Sequence, residues 1–256
     1  MPVFAIERQQ KIMEHLSENG VVSVGLLSKQ FGVVEETIRR DLEKLETQGK
    51  LMRTHGGAVP VDDVKHEPSI ERRKTMNVEG KKKVAKAAAA LIEPGDTIFL
   101  DASTTTYYIA QELREMRDIT VVTTSLQSIA LLSNVDGIKL IATGGIVGDN
   151  QSFIGSLAEE SVRRNYFADK VFFSSRGVTL QAGVLDSNEQ EAAIKRCMME
   201  NSRKAIFVCD HTKLNRVGFA KLAAFDEIDA MVTEPVEDEA WTRCLSDAGC
   251  DLIEAE

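Results

Sequence analysis

Cysteine is sparse in this chain of 256 residues, with only Cys197, Cys209, Cys244 and Cys250, all late and at spacings that match no zinc motif. Buried reduced thiols are expected of them, not a disulfide framework. The four histidines, His15, His55, His66 and His211, are scattered too, so neither a metal nor another cofactor is expected. Long apolar runs are also missing, which excludes a membrane-spanning helix and a membrane partner. The start, Met1 to Gln10, carries Glu7 and Arg8 where a secretory signal would need an apolar core, which places the expected site of action in the cytoplasm. What the chain does have is 43% apolar residues, ample for a buried core, and a length that suits two domains better than one.

Gly32 to Leu45 has the periodicity of a helix with two unlike faces. At 100° per residue Ile38, Leu42 and Leu45 fall together with Val34 beside them, while Thr37, Arg40 and Lys44 fall opposite. Upstream, Ser23 to Phe31 reads as a shorter helix with Ser23 as N-cap, Leu26, Leu27 and Phe31 as its apolar stripe, and Gly32 as a left-handed stop. Phe4 to Ser17, with Ile6, Met13 and Leu16 apolar, reads as a first helix that braces the pair. Lys50 to Ala58 supplies an extended run into Gly56-Gly57, suited to a β-hairpin wing carrying Arg53 and His55. Charged runs usually only solvate a face, and Glu36 is placed to pair with Arg40 at i,i+4. Helix, turn, helix and basic hairpin in one short segment nevertheless specify a winged helix-turn-helix that binds double-stranded DNA. Its contact candidates are Glu36, Thr37, Arg39, Arg40, Lys44, Arg53 and His55, with Arg40 the best placed for a base edge.

Thr37-Ile38-Arg39-Arg40-Asp41-Leu42, followed by Leu45, Gly49, Arg53 and His55-Gly56-Gly57-Ala58, resembles the DeoR family of bacterial transcriptional regulators. Two departures are visible. Val34 stands where the family usually carries a capping Ser, a change worth about 1 kcal/mol of helix stability, and Gly25 replaces an acidic helix former. Neither touches a residue that reads DNA.

The net charge of −9 looks wrong for such a protein until the chain is divided. Met1 to Pro60 holds eight Lys or Arg against eight acids, so the remainder carries the whole deficit and repels DNA everywhere but at the basic face. Composition shifts after Ala58, and the domains are drawn as 1–60 for DNA binding, 61–80 as linker and 81–256 as a second domain.

In the second domain a helix is expected from Lys81 to Ala90. Short apolar runs then recur at Thr97 to Leu100, Thr120 to Val122, Lys139 to Ala142, Val171 to Phe173, Ala205 to Cys209 and Ala230 to Val232. Helix-like stretches separate most of them, which predicts an α/β fold with a parallel, Rossmann-like sheet. The loops that follow are small, hydroxylic or charged: Asp101 to Thr106, Thr123-Thr124-Ser125, Thr143-Gly144-Gly145, Ser174 to Gly177 and Asp210 to Lys213. Ligands of open α/β sheets sit outside the carboxyl ends of the strands, so these loops are expected to form one site. A helix starting near Thr104 offers free N–H groups and the positive end of its dipole to a phosphate. One hydroxyl suffices for a cap, whereas Ser103, Thr104, Thr105 and Thr106 supply four. Arg176 and Lys213 are the cations that offset the acidic body. Asp186 to Glu191 with Lys195 opens a later helix; these acids either complement its dipole or, with Asp101 and Asp210, hydrogen-bond sugar hydroxyls.

The resemblance extends here through Asp96 to Asp101, Thr104-Thr105, Thr143-Gly144-Gly145 and Asp210 to Lys213. It implies an effector domain similar in fold to ribose-5-phosphate isomerase, binding a phosphorylated sugar without turnover. Ser103 stands where the family commonly has Gly. The chain is therefore expected to be a transcriptional regulator, a repressor of a carbohydrate-utilisation operon, acting as a homo-oligomer, dimer or tetramer, because one short winged helix contacts too few base pairs. The effector candidates are Asp101, Ser103, Thr104, Thr105, Thr106, Thr143, Gly144, Gly145, Arg176, Asp186, Glu189, Asp210 and Lys213. Two alternatives stand beside this: a sugar-phosphate isomerase using Asp186, Glu189 and Lys195, and a constitutive DNA-binding module whose second domain only oligomerises.

Overall fold

The structure, a computed structural model, describes residues 5–19, 22–48, 50–54, 56–60 and 68–256. His55 lies outside the described residues. The N-terminal unit is built from α1 (Ala5–Asn19), β1 (Val22–Ser23), α2 (Val24–Phe31), α3 (Glu35–Thr47), β2 (Leu51–Thr54) and β3 (Gly57–Pro60). Its core joins Ile12 and Leu16 to Leu27, Phe31, Ile38, Leu42 and Leu45. On α1 the residue at the core is Ile12, with Met13 only half-buried, because Ile12 and Leu16 are four apart and stack on one side of the helix. Leu26 is 62% exposed, contrary to its assignment to the inner stripe. Val24, Leu27 and Phe31, spaced three and four apart, form that stripe instead.

Gly32 has φ +63° and its N–H returns to Ser28 O, the left-handed stop read from the sequence. Ser23 and Val34 occupy the N-cap positions of α2 and α3 in extended backbone, and neither makes a side-chain cap bond. The wing has three antiparallel strands in the order β1-β3-β2, one more than the expected hairpin. Gly57 makes that third strand possible, since a Cβ there would run into the carbonyl of Val22. A buried ion pair, Arg8 Nε to Asp41 Oδ2 at 2.5 Å, ties α1 to α3, and Gln9 donates to the other carboxylate oxygen at 2.7 Å.

The chain is described again from Pro68. A short helix α4 (Ile70–Thr75) capped by Ser69 leads to α5 (Val78–Ala89), and β4 (Thr97–Leu100), α6 (Thr104–Glu112), β5 (Ile119–Thr123), α7 (Leu126–Leu132) and β6 (Ile138–Ala142) follow. Next come a hairpin, β7 (Ile146–Val147) and β8 (Phe153–Ile154), then α8 (Ser156–Asn165), β9 (Ala168–Phe173), β10 (Gly177–Thr179), β11 (Gly183–Asp186) and α9 (Glu189–Glu200). The chain closes with β12 (Ser202–Val208), β13 (Ala220–Ala223), β14 (Ala230–Thr233), α10 (Glu239–Ala248) and β15 (Asp251–Glu254).

Seven strands pair in parallel in the order β15-β14-β12-β9-β4-β5-β6. Alternation sends Ile98 and Leu100 to one face, where α5, α6 and α7 cover them, and Phe99 to the other, under α8, α9 and α10. The six expected strands are all present. The seventh, β15, has the sequence Asp-Leu-Ile-Glu, too polar and short to stand out, and pairs only with β14 at the edge. A small antiparallel sheet, β10-β11-β13, folds over the carboxyl end of the main one. Gly177 permits its close approach, because a Cβ there would meet the carbonyl oxygen of Arg216.

Candidate functional site

On α3 the side opposite Ile38 and Leu42 is open to solvent. Arg39 and Arg40 are exposed and pair along the helix with Glu35 at 2.7 Å and Glu36 at 3.4 Å. Exposed i,i+4 pairs are weak, so these guanidinium groups can exchange partners for phosphates or base edges at little cost. Lys44 is exposed beyond them and Thr37 is half-buried. Arg53 on the wing is exposed, with Nε 4.0 Å from Glu46 Oε2.

The second site is at the carboxyl ends of β4, β9 and β12, adjacent strands of the sheet. Asp101 leaves β4 buried: its Oδ1 accepts from Ser103 N at 3.0 Å and Thr106 Oγ1 at 2.6 Å, and its Oδ2 from Ser174 N at 2.9 Å. Ser103 caps α6 by accepting from Thr106 N at 3.2 Å. Two of the four hydroxyls are thus engaged with Asp101 and the cap. Thr104 and Thr105 are buried at the first turn, where helical N–H groups have no partner within the helix.

Thr104 lines a small cavity with Arg73, Lys81, Arg176, Lys213 and Arg216, closed by Pro68, Met76 and Thr212. All five cations are buried. Burial lowers the pKa of Lys81; Asp210, with Oδ2 at 3.5 Å, opposes that and the neighbouring Arg73 adds to it. Asp210 caps the turn that holds Lys213, accepting from Thr212 N at 3.0 Å. Desolvation would raise the Asp210 carboxyl, but Lys213, Lys81 and the Thr212 hydrogen bonds outweigh it and hold it below its ordinary value.

Asp186 lies at the end of β11, buried, with its Oδ2 2.6 Å from Lys195 Nζ, which also reaches Asp101 at 3.4 Å and donates to Ser174 O at 3.0 Å. Burial would lower the pKa of Lys195; Asp186, Asp101 and Glu191 more than reverse that and hold it above the ordinary value. Glu191 is buried and raised by desolvation, and accepts from Ser152 Oγ at 2.5 Å. Glu189, two residues before it, is exposed at the start of α9. Thr143 is buried after β6, and Gly144 and Gly145 turn the chain with φ of +71° and +126°. These three stand at the sheet edge and do not line the cavity with Thr104.

Arg73, Lys81 and Arg216 went unnamed as site candidates. Lys81 carried a signal, since it shares the helix face of Val84, Ala85 and Ala88, where a cation is out of place unless something charged meets it. Arg73 lies in the segment read as linker, yet that segment is bound to the domain: Arg73 Nη2 donates to Asn150 Oδ1 at 2.6 Å, and Lys81 Nζ donates to the carbonyls of Arg73 and Met76.

A winged helix joined to a doubly covered parallel sheet with a charged pocket at its carboxyl ends is the architecture of a ligand-controlled DNA-binding regulator. The family model described as the DeoR-like helix-turn-helix domain matches residues 8–64, and that of the DeoR C terminal sensor domain matches residues 76–235. The chain belongs to the DeoR family of transcriptional regulators. It is 40% identical to the uncharacterized HTH-type transcriptional regulator YulB of Bacillus subtilis (strain 168), over 94% of this chain and 93% of that one. It is 37% identical to the putative aga operon transcriptional repressor of Escherichia coli O157:H7, over 96% and 93% respectively. Among solved structures, ribose 5-phosphate isomerase A from Methanocaldococcus jannaschii aligns over 54% of this chain and 55% of its own with 19% identity and TM-score 0.41, too distant to bear on chemistry.

Proposed function

We propose that this regulator represses a carbohydrate-utilisation operon in the cytoplasm and is controlled by a phosphorylated sugar bound at the carboxyl ends of β4, β9 and β12. The observation that carries this is the convergence of Arg73, Lys81, Arg176, Lys213 and Arg216 on Thr104, inside a domain that is otherwise acidic. A phosphate dianion at the start of α6 meets free N–H groups, the helix dipole and those cations together. The hydroxyl end of the sugar then points towards Asp210, with Asp101 and Asp186 behind it. DNA is contacted by Thr37, Arg39, Arg40, Lys44 and Arg53, and two copies of the chain read two half-sites.

Calorimetry of the wild type and a Thr104→Ala, Thr105→Ala double variant against a panel of sugar phosphates and the corresponding free sugars tests the placement. The wild type should prefer the ester strongly and the variant much less. A variant that keeps the full preference removes the α6 start from the site. The buried, raised carboxyl of Glu191 beside Lys195 favours an isomerase as second reading. Following product formation in the same panel separates the two, since a sensor is stabilised by its ligand without turnover.

A further inference from the structure

Seven large apolar residues are exposed among the described residues, and five of them belong to the sensor domain: Ile146, Val147, Leu157, Phe167 and Phe219. Four of those five fall on the β7–β8 hairpin and at the two ends of α8. Ile146 lies over the start of α8, its Cδ1 3.7 Å from where a Cβ of Gly155 would stand. The hairpin is held firmly. Gly148 N donates to Ser152 O at 2.8 Å, Phe153 N to Thr124 O at 2.8 Å, and Ser152 Oγ reaches the buried Glu191. Scattered apolar residues on a surface need no explanation, but a firmly held apolar projection presented to water does.

We propose that this hairpin and α8 form a self-association surface, occupied by a second copy of this chain. The inference rests on the reading of the protein as an oligomeric regulator and assigns the face. Charge identifies the occupant. Glu160 and Arg164 lie one turn apart on the side of α8 that carries Leu157, and they pair with each other, exposed, at 2.5 Å. Two copies of α8 crossing antiparallel about a twofold axis set Glu160 against Arg164 of the partner subunit, and Arg164 against Glu160 of the partner subunit. The same register sets Leu157 opposite Phe167 of the partner subunit, so one arrangement covers both exposed residues and satisfies both charges. The intramolecular pair exchanges for the intermolecular one at little cost. DNA does not fit this face, because residues 61–256 carry 32 acids against 23 Lys or Arg.

Sedimentation equilibrium of the full chain tests the proposal. Wild type should sediment as an oligomer, and the Ile146→Asp, Val147→Asp variant at half the wild-type mass or less. Glu160→Arg alone and Arg164→Glu alone should each lose the association, and an equimolar mixture of the two should regain it as a hetero-pair. These two variants change only exposed charges on a helix, so the mixture remains informative if the hairpin variant misfolds. A Phe219→Asp variant should keep the wild-type mass. Single-charge variants that associate like the wild type, or a mass that falls with Phe219→Asp instead, overturn the assigned face. A monomeric wild type overturns the oligomeric reading as well.

Discussion

Arg40 and Arg53 are both exposed cations, yet their positions divide their work. Arg40 extends from the open side of the recognition helix, whereas Arg53 sits on the wing that flanks it. Arg40→Ala should cost about 1 to 3 kcal/mol on the cognate operator and relax preference at one base pair, while Arg53→Ala should weaken all sequences alike. Binding assays on the operator and on single-base variants of it distinguish these, and unchanged specificity in Arg40→Ala assigns that residue to the phosphate backbone. In the sensor, the Asp210 carboxyl is held below its ordinary value of 3.8 by Lys213 and Lys81 against the cost of burial. Between the folded and unfolded values the unfolded chain binds more protons, so this contribution is present above the unfolded pKa and is lost as pH falls through the folded one. Urea midpoints measured from about pH 5 down to about pH 3 should therefore fall less steeply for Asp210→Asn than for the wild type. Equal slopes would remove Asp210 from the groups that set acid stability.

Each element at the site does two jobs. The start of α6 is a capped helix terminus and the rim of the cationic cavity, with Ser103 and Thr106 serving the first role and Thr104 lining the second. The run of four hydroxyls was legible in the sequence, but their division was not, because it depends on the carboxylate of Asp101 turning back onto Thr106 and Ser103. The β10-β11-β13 sheet brings Arg216 over the end of the parallel sheet, and the bare backbone of Gly177 is what lets it close. Gly177→Ala should destabilise the sensor domain by about 1 to 3 kcal/mol through overpacking against that carbonyl. A thermal melt of the variant at or above the wild-type midpoint would contradict this.

At the level of the whole molecule, charge and linkage govern behaviour. The DNA-binding unit, residues 1–60, has eight basic and eight acidic residues and the remainder is strongly acidic, so operator affinity should fall steeply with added salt. For an effector to move the protein from almost wholly DNA-competent to almost wholly incompetent, it must favour the second state by about 5.5 kcal/mol. Linkage makes that coupling reciprocal, so saturating operator DNA should weaken effector binding by the factor by which effector weakens DNA binding. Titrations in both orders measure the two factors. An inequality between them would mean that the effector acts outside a simple two-state equilibrium.

Properties carried by spacing along the chain were determined by sequence alone. Ile38, Leu42 and Leu45 share a face because a helix repeats every 3.6 residues, and Ile98 and Leu100 share one because a strand repeats every two. Thus the winged helix, the left-handed stop at Gly32 and six of the seven parallel strands were legible, whereas Ile12 was mistaken for Met13 and Val24 for Leu26 by one or two positions. The cationic cavity was decided by tertiary structure. Arg73 comes from the segment before α5, Lys81 from α5, Arg176 from the end of β9, and Lys213 and Arg216 from the turns beyond β12. No local period links them. They meet because β9 runs between β4 and β12 in the sheet and Arg73 is tied back over its carboxyl end, and strand order is fixed by burial of both faces of the sheet under helices distant in the chain.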